Sequence, residues 1–353
     1  MKVIFVIVSM AGGGAERVIS ILANRFIEKG IGVTILMTAG DTVAYQLDRK
    51  IRLVSAGTVS GGSMKKRLAR IGRMRALFRE ERDSVIISFG PGTSFFAVAA
   101  DLFLQHPFLI SERNDPAACP HPFLRNLVYR RAGRVIFQTE EAKDCFPKTL
   151  RDRGRVIPNP IAEGLPKPWD GEREKTVVAV GRLEAQKNYE LLLEAFARFR
   201  RKFPDYTLHI YGKGTLLEEL KEKARGLEIS DCVVWEGFRK DVLSEIRKAG
   251  IYVLSSDYEG ISNALLEAMA IGLPVISTDC PIGGSRMCIR DRENGLLVPC
   301  GDPDALAEAM ERLAADPEMA QRLGRRAAGL RETYSESAVA ERWIEQVKEV
   351  WRG

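Results

Sequence analysis

Residues 251–277 read IYVLSSDYEGISNALLEAMAIGLPVIS. The opening IYVLSS is an apolar, β-branched run of strand length, with the character of a buried strand. Ser262 stands where an N-cap belongs, and Ala264, Leu265, Ala268 and Met269 follow at helical spacing until Gly272 and Pro274 end the helix. LPVIS then begins a second apolar run. Strand, loop, helix and strand in this order form a crossover unit, and such units build parallel sheets.

The same alternation extends in both directions. KVIFVIV, GVTILMT, SVIISFG and RVIFQT punctuate the first half, and TVVAVGR, TLHIYG and CVVWEG the second. Between the halves, IAEGLPKPWDGER at 161–173 breaks both periods and reads as a hinge. A chain of 353 residues is long for one core and comfortable for two. The expected fold is α/β, with two doubly wound Rossmann-like domains facing a central cleft. The first domain is expected at 1–165 and the second at 166–335. An amphipathic helix at 336–353 is expected to cross back to the first. Ligands are expected at the carboxyl ends of the strands and in the cleft.

Apolar residues make up 45% and charged residues 28%, which is ordinary for a soluble globular protein, and no apolar run approaches the roughly 20 residues of a membrane helix. The start, MKVIFVIVSMAGGGAERV, mimics a short signal peptide but runs into a glycine loop and an amphipathic helix, so it reads as strand, loop, helix. Six cysteines without paired metal spacing imply reduced thiols in a cytoplasmic protein, and no metal. The three histidines lie outside the motifs and suit structural roles. A D-x-D at Asp302 and Asp304 precedes an amphipathic helix and reads as its N-cap.

Net charge is +6, and much of it is local. Residues 63–82, SMKKRLARIGRMRALFREER, carry Lys65, Lys66, Arg67, Arg70 and Arg73, with Met64, Leu68, Ile71, Met74 and Phe78 at helical spacing beneath them. This pattern fits a solvated helix packed on the first sheet. It also fits contact with anionic lipid or with a diphosphate group. No nucleic-acid partner is implied.

Gly12, Gly13 and Gly14 lie between the first strand and a helix, where backbone amides approach phosphates; a tight turn explains them as well. Arg182 and Lys187 follow the strand of TVVAVGR, and two cations there suit a dianionic group. In the opening stretch, Glu267 sits one turn above Asn263 and off the apolar stripe, so its side chain leans back toward Glu259 and Gly260. Carboxylates accept hydrogen bonds from hydroxyls, while the free amides around Ile261, Ser262 and Asn263 attract phosphate. A ligand with both features is a sugar nucleotide. Taken alone, two glutamates are more often solvated surface groups.

EGISNALLEAMAIGLPVIS, with GRLEAQKN upstream and ENGLLVP downstream, resembles the retaining glycosyltransferases of family 4, which have the GT-B architecture. GGGAERV, SERNDP, FQTEEAK and VIPNP extend the resemblance over nearly the whole chain. It implies that Glu259 approaches the transferred sugar and that Glu267 holds the ribose hydroxyls. It implies that Arg182 and Lys187 hold the diphosphate, aided by amides of Gly13 and Gly14, and that the nucleobase passes Gly237 and Phe238. Many relatives carry a histidine within the SERNDP segment; here Arg113 occupies that place. Arg113, Asn114 and Asp115 are the acceptor-side candidates, with an ordinary turn equally open.

The resemblance further implies bacterial enzymes that extend lipid-linked or cell-surface glycans. The donor is expected to be a UDP-linked hexose or N-acetylhexosamine, used without metal or other cofactor, and the acceptor a glycan on a polyprenyl diphosphate. The expected location is the cytoplasm, on the inner face of the membrane. A sugar-nucleotide 2-epimerase and a non-enzymatic sugar sensor remain open. One stretch departs from the family pattern: in GGSRMCIRDRENGLLVP, Met287, Cys288 and Arg292 replace an acid, an aliphatic residue and a glycine. MCIRDR is also one reading frame of a sequencing-library adapter, and the expectation is a foreign hexapeptide at 287–292.

Overall fold

A computed structural model of the chain describes residues 1–57, 63–113 and 115–352. Two compact units account for it: Met1–Pro160 together with Glu336–Gly353, and Ile161–Ser335.

The first unit is built on seven strands: β1 (Lys2–Ile7), β2 (Gly32–Met37), β3 (Arg52–Ser55), β4 (Ser84–Phe89), β5 (Phe108–Ser111), β6 (Arg134–Phe137) and β7 (Gly154–Val156). They are ordered β3-β2-β1-β4-β5-β6-β7, and every pairing is parallel. Both faces are covered, so the strands are apolar throughout: Val3, Phe5 and Ile7 enter one core, and Ile4 and Val6 the other. The helix Glu336–Arg352 belongs to this unit, burying Val339, Ala340, Trp343, Ile344 and Val347 in the first of these cores. Trp343 stacks on Phe89 at 5.7 Å, and Glu336 and Glu349 pair with Arg25 and Arg134.

The second unit carries β8 (Glu174–Val180), β9 (Thr207–Tyr211), β10 (Val233–Gly237), β11 (Ala249–Leu254), β12 (Val275–Thr278) and β13 (Leu296–Val298). Their order is β10-β9-β8-β11-β12-β13, again all parallel. The stretch that opened the sequence reading is thus β11, the helix Asn263–Ala270 and β12. The glycine- and proline-rich stretch read as a hinge is laid along this unit. The Ile161 amide donates to Tyr334 O at 2.7 Å, and Arg173 donates to the carbonyls of Gly272 and Ala249. Cations of Arg247 and Lys248 lie 4.9 and 5.0 Å from the Trp169 ring.

Two helices differ from the sequence reading. In Ser63–Glu80 the expected apolar stripe is buried only at its far end. Met74, Leu77 and Phe78 pack in the core, whereas Met64 and Leu68 are 66% and 62% exposed. The neighbouring helix Pro91–Asp101 is gripped through Arg70, over the Phe96 ring, and Arg75, which donates to the carbonyls of Ala100 and Leu102. Met64 and Leu68 lie outside that contact. In Asn263–Ala270, Glu267 is not on a solvated face: Leu265 through Ala270 are all buried, Glu267 included. Ala327, Tyr334 and Leu330 join the helix in one apolar core.

Candidate active site

Strands β8 and β11 are neighbours, so the loops leaving their carboxyl ends lie side by side. The loop after β8 is held down by close backbone approach. Gly181 N donates to Tyr211 O, and Leu183 N to Lys213 O. A Cβ on Gly212 would lie 1.8 Å from Gly181 O and one on Gly214 2.1 Å from Leu183 O, so side chains are excluded there. After the short turn Ala185–Lys187, Asn188 takes a left-handed conformation at φ +42 and caps the helix Tyr189–Arg200, accepting from Leu191 N at 3.1 Å.

This loop is fastened to residues 255–260. Ser255 Oγ donates to Lys187 O at 2.8 Å, Asp257 N to Gln186 O at 3.0 Å, Gln186 Nε2 to Tyr258 O at 2.9 Å, and Asn188 Nδ2 to Asp257 Oδ1 at 2.7 Å. These bonds set two functional groups against each other. Lys187 Nζ stands 2.5 Å from Glu259 Oε1, which also accepts from Ser256 Oγ at 3.0 Å. Glu259 is 8% exposed, yet its charge is matched by an ammonium that keeps two further N–H donors. Arg182 is exposed, its carbonyl accepting from Glu184 N, and its guanidinium makes no hydrogen bond or ion pair among the described residues. The sequence reading placed Lys187 with the diphosphate and Glu259 with the sugar; the structure brings the two side chains together.

Around the pair the wall is neutral. Burial, reinforced by Glu259, pushes the Tyr189 phenol up, and burial raises Tyr252 well above its ordinary range, with Tyr189, Glu267 and Glu259 adding to it. Both carboxylates therefore lie within electrostatic reach of Tyr252. Burial likewise pushes the Cys280 thiol up to about 12. Gly260 is positioned by Gly284, where a Cβ would fall 1.7 Å from Gly260 O. Ile261 is buried, and Ser262 caps Asn263–Ala270, its Oγ accepting from Leu265 N. Gly237 closes β10 at φ +68, its carbonyl accepting from Gly212 N, and Phe238 beside it is 70% exposed.

In the first unit the amides expected to meet phosphate have an internal partner. Glu16 Oε2 accepts from Gly12 N at 2.5 Å and Gly13 N at 2.7 Å, and Oε1 accepts from Ser9 Oγ. Gly13 is the N-cap and Glu16 the third helical residue, a capping-box arrangement visible in GGGAERV but not read there. Gly14 begins the helix Gly14–Glu28. Arg113 donates to Asn159 Oδ1 at 2.6 Å and lies over the Phe89 ring at 5.2 Å. Burial lowers its guanidinium to about 9, with Glu112 opposing, so it stays charged at neutral pH. Asp115 caps the turn Pro116–Ala118, its Oδ1 accepting from Ala117 N. Asn114 lies outside the described residues.

On the helix Ser63–Glu80, Arg73 donates to Ala56 O, which leaves Lys65, Lys66 and Arg67 as its exposed leading cations. His106 is buried with Nδ1 2.5 Å from Asp101 Oδ1, and His209 lies 3.0 Å from Glu236. Asp302 caps the helix Pro303–Ala315, and Asp304 pairs with Arg198. All six cysteines are free. Among the described residues no helix is long and apolar enough to cross a membrane. In 287–292, Arg292 sits at φ +61, the left-handed region that glycine adopts at least cost, and its amide donates to Gly295 O.

Residues 12–163 match the family described as "Glycosyltransferase Family 4", and residues 166–329 the one described as "Glycosyl transferases group 1". The chain is a family 4-like GT-B glycosyltransferase. Over 97% of its length this glycosyltransferase is 26% identical to an uncharacterized glycosyltransferase of Haemophilus influenzae, 96% of which is covered. It is 27% identical, with 99% of each chain covered, to a Campylobacter jejuni enzyme. That enzyme is named as an alpha-1,4-N-acetyl-D-galactosaminyltransferase acting on a GalNAc-containing diNAcBac-PP-undecaprenol. The fold of the Anabaena protein HepE, solved in complex with UDP and glucose, matches at a TM-score of 0.86, with 18% identity and 99% of each chain covered. Sugar transfer in glycan or polysaccharide biosynthesis is the activity that accompanies this membership. In the glycosyltransferase, Arg182, Lys187, Glu259 and Glu267 fall within the matched 166–329 region.

Proposed function

We propose that this glycosyltransferase transfers a hexose or N-acetylhexosamine from a UDP-linked donor, with retention at the anomeric carbon, to a glycan carried on a polyprenyl diphosphate. The observation that carries the reading is Lys187 held on buried Glu259, beside unpaired Arg182, at adjoining strand ends. Arg182 and the remaining donors of Lys187 take up the charge of the departing UDP, so a bound metal is not required for that task. The bond from sugar C1 to the diphosphate oxygen breaks, the acceptor oxygen bonds to C1 from the same face, and the acceptor proton leaves on UDP. Glu259 stabilises the cationic sugar while Lys187 holds its side chain in place. Glu267 accepts from the ribose hydroxyls, and the N-terminal end of the helix Asn263–Ala270 favours phosphate through its dipole.

UDP as the leaving group is supported by the solved UDP complex of the Anabaena protein, and a lipid-linked acceptor by the Campylobacter relative's name. Lys65, Lys66 and Arg67, beside exposed Met64 and Leu68, provide a cationic and apolar face for peripheral contact with anionic lipid on the cytoplasmic side. The deciding experiment measures UDP release from UDP-sugars with and without a polyprenyl-diphosphate-linked glycan. We expect release to depend on the acceptor; release from donor alone with an altered free sugar identifies an epimerase instead. For the membrane contact, co-sedimentation with phosphatidylglycerol vesicles should weaken with salt and on replacing Lys65, Lys66 and Arg67 by Glu. Binding indifferent to both overturns it.

A further inference from the structure

The first unit contains a cavity of about 380 Å³ at the carboxyl ends of β4 and β5, of the size of small-molecule sites. Its walls are Pro91, Phe95, Ala118, Pro120, Leu124 and Val128. Asp115, Cys119 and His121 border it as well, and its two remaining polar groups are engaged within the fold. Glu112 accepts from Tyr129 OH at 2.9 Å and from Arg113 N at 3.1 Å. Arg125 donates to Pro116 O at 2.7 Å and lies 4.1 Å from the Phe146 ring. A sugar in this space would exchange water for hydrocarbon at most of its hydroxyls, whereas an apolar chain loses nothing against the Pro91, Phe95, Leu124 and Val128 walls.

Apolar surface continues outward from the mouth. Phe95 and Leu124 are each 42% exposed, and on the same helix as Leu124, Phe123 is 84% and Leu127 53% exposed. The wall helix Pro91–Asp101, which supplies Phe95, is the one gripped by the basic helix Ser63–Glu80. Hydrocarbon-lined space and a cationic helix thus share one supporting element, which suits an amphiphilic anion.

We propose that this cavity receives the leading isoprene units of the acceptor's polyprenyl chain. The inference rests on the lipid-linked acceptor reading but is testable apart from it. Radiolabelled farnesyl diphosphate, below its micelle concentration, is equilibrated by dialysis with the full chain and with Ala118→Trp, which fills the cavity from an exposed turn. Leu124→Asp serves as the second variant. Farnesyl diphosphate should bind at least tenfold more tightly than inorganic diphosphate. Each variant should lose at least tenfold of that binding while keeping its Tm and its affinity for inorganic diphosphate. Equal binding of the two ligands, or undiminished farnesyl binding in folded variants, overturns the proposal. In transfer assays Ala118→Trp should raise KM for the polyprenyl acceptor. If the wild type transfers nothing to that acceptor, the functional reading fails while the dialysis result stands. If both transfer with equal KM, the cavity assignment fails.

Discussion

The first strand of each unit passes into a helix through a glycine-bearing loop, and the two loops use their charges differently. After β1, the amides of Gly12 and Gly13 are satisfied by Glu16, a carboxylate three or four residues along the same chain. After β8, the carboxylate comes from the loop leaving the neighbouring strand β11, and it meets Lys187 rather than amides. Arg182 remains outward. A local anion closes a loop upon itself. A distant anion, placed on a cation, leaves the loop charged and ready for a ligand.

The sharpest way to break this contrast is Lys187→Met. Turnover should fall by on the order of 10²–10³, because one donor to the leaving group is gone. Stability should fall by about 3 kcal/mol, because Glu259 is left buried and unpaired. Adding Glu259→Gln should restore the melting temperature without restoring turnover. If turnover returned with stability, the pair would be structural only. Next in size, Arg182→Ala should lower turnover roughly a hundredfold with no change in Tm, as expected for an exposed cation whose side chain makes no hydrogen bond or ion pair. Near-wild-type kinetics would remove it from the chemistry.

A smaller effect tests the other loop. Glu16→Ala should cost about 1 kcal/mol in thermal unfolding, the usual worth of a cap. Thermal unfolding identical to the wild type would show that Glu16 caps nothing. Smallest of all, Arg292→Gly should raise the second unit's Tm by roughly 2–4 °C, by relieving about 1 kcal/mol of left-handed backbone. An unchanged Tm would show that the turn carries no such strain.

The parallel architecture was legible because β-branched runs and amphipathic stretches alternate, and nothing local opposes them. Ser262 and Asp302 were legible as caps because a cap is decided within four residues. What sequence could not supply was anything settled across the fold. Periodicity marks Met64 and Leu68 as one face with Phe78, but it does not say how far the covering helix reaches. It marks Glu267 as off-stripe, although the folded chain buries it. The ion pair of Lys187 and Glu259 spans 72 positions and depends on strand order. Glu16 is a different case: its signal is local, three residues past Gly13 in the same capping box.

The helix Glu336–Arg352 has a consequence for synthesis on the ribosome. The second unit is one continuous segment, Ile161–Ser335, and can mature as soon as that segment emerges. The first unit, although begun earlier, lacks Trp343 against Phe89 until translation has passed position 343. The half made first is therefore completed last, and its nascent sheet should show an uncovered face to chaperones throughout the interval.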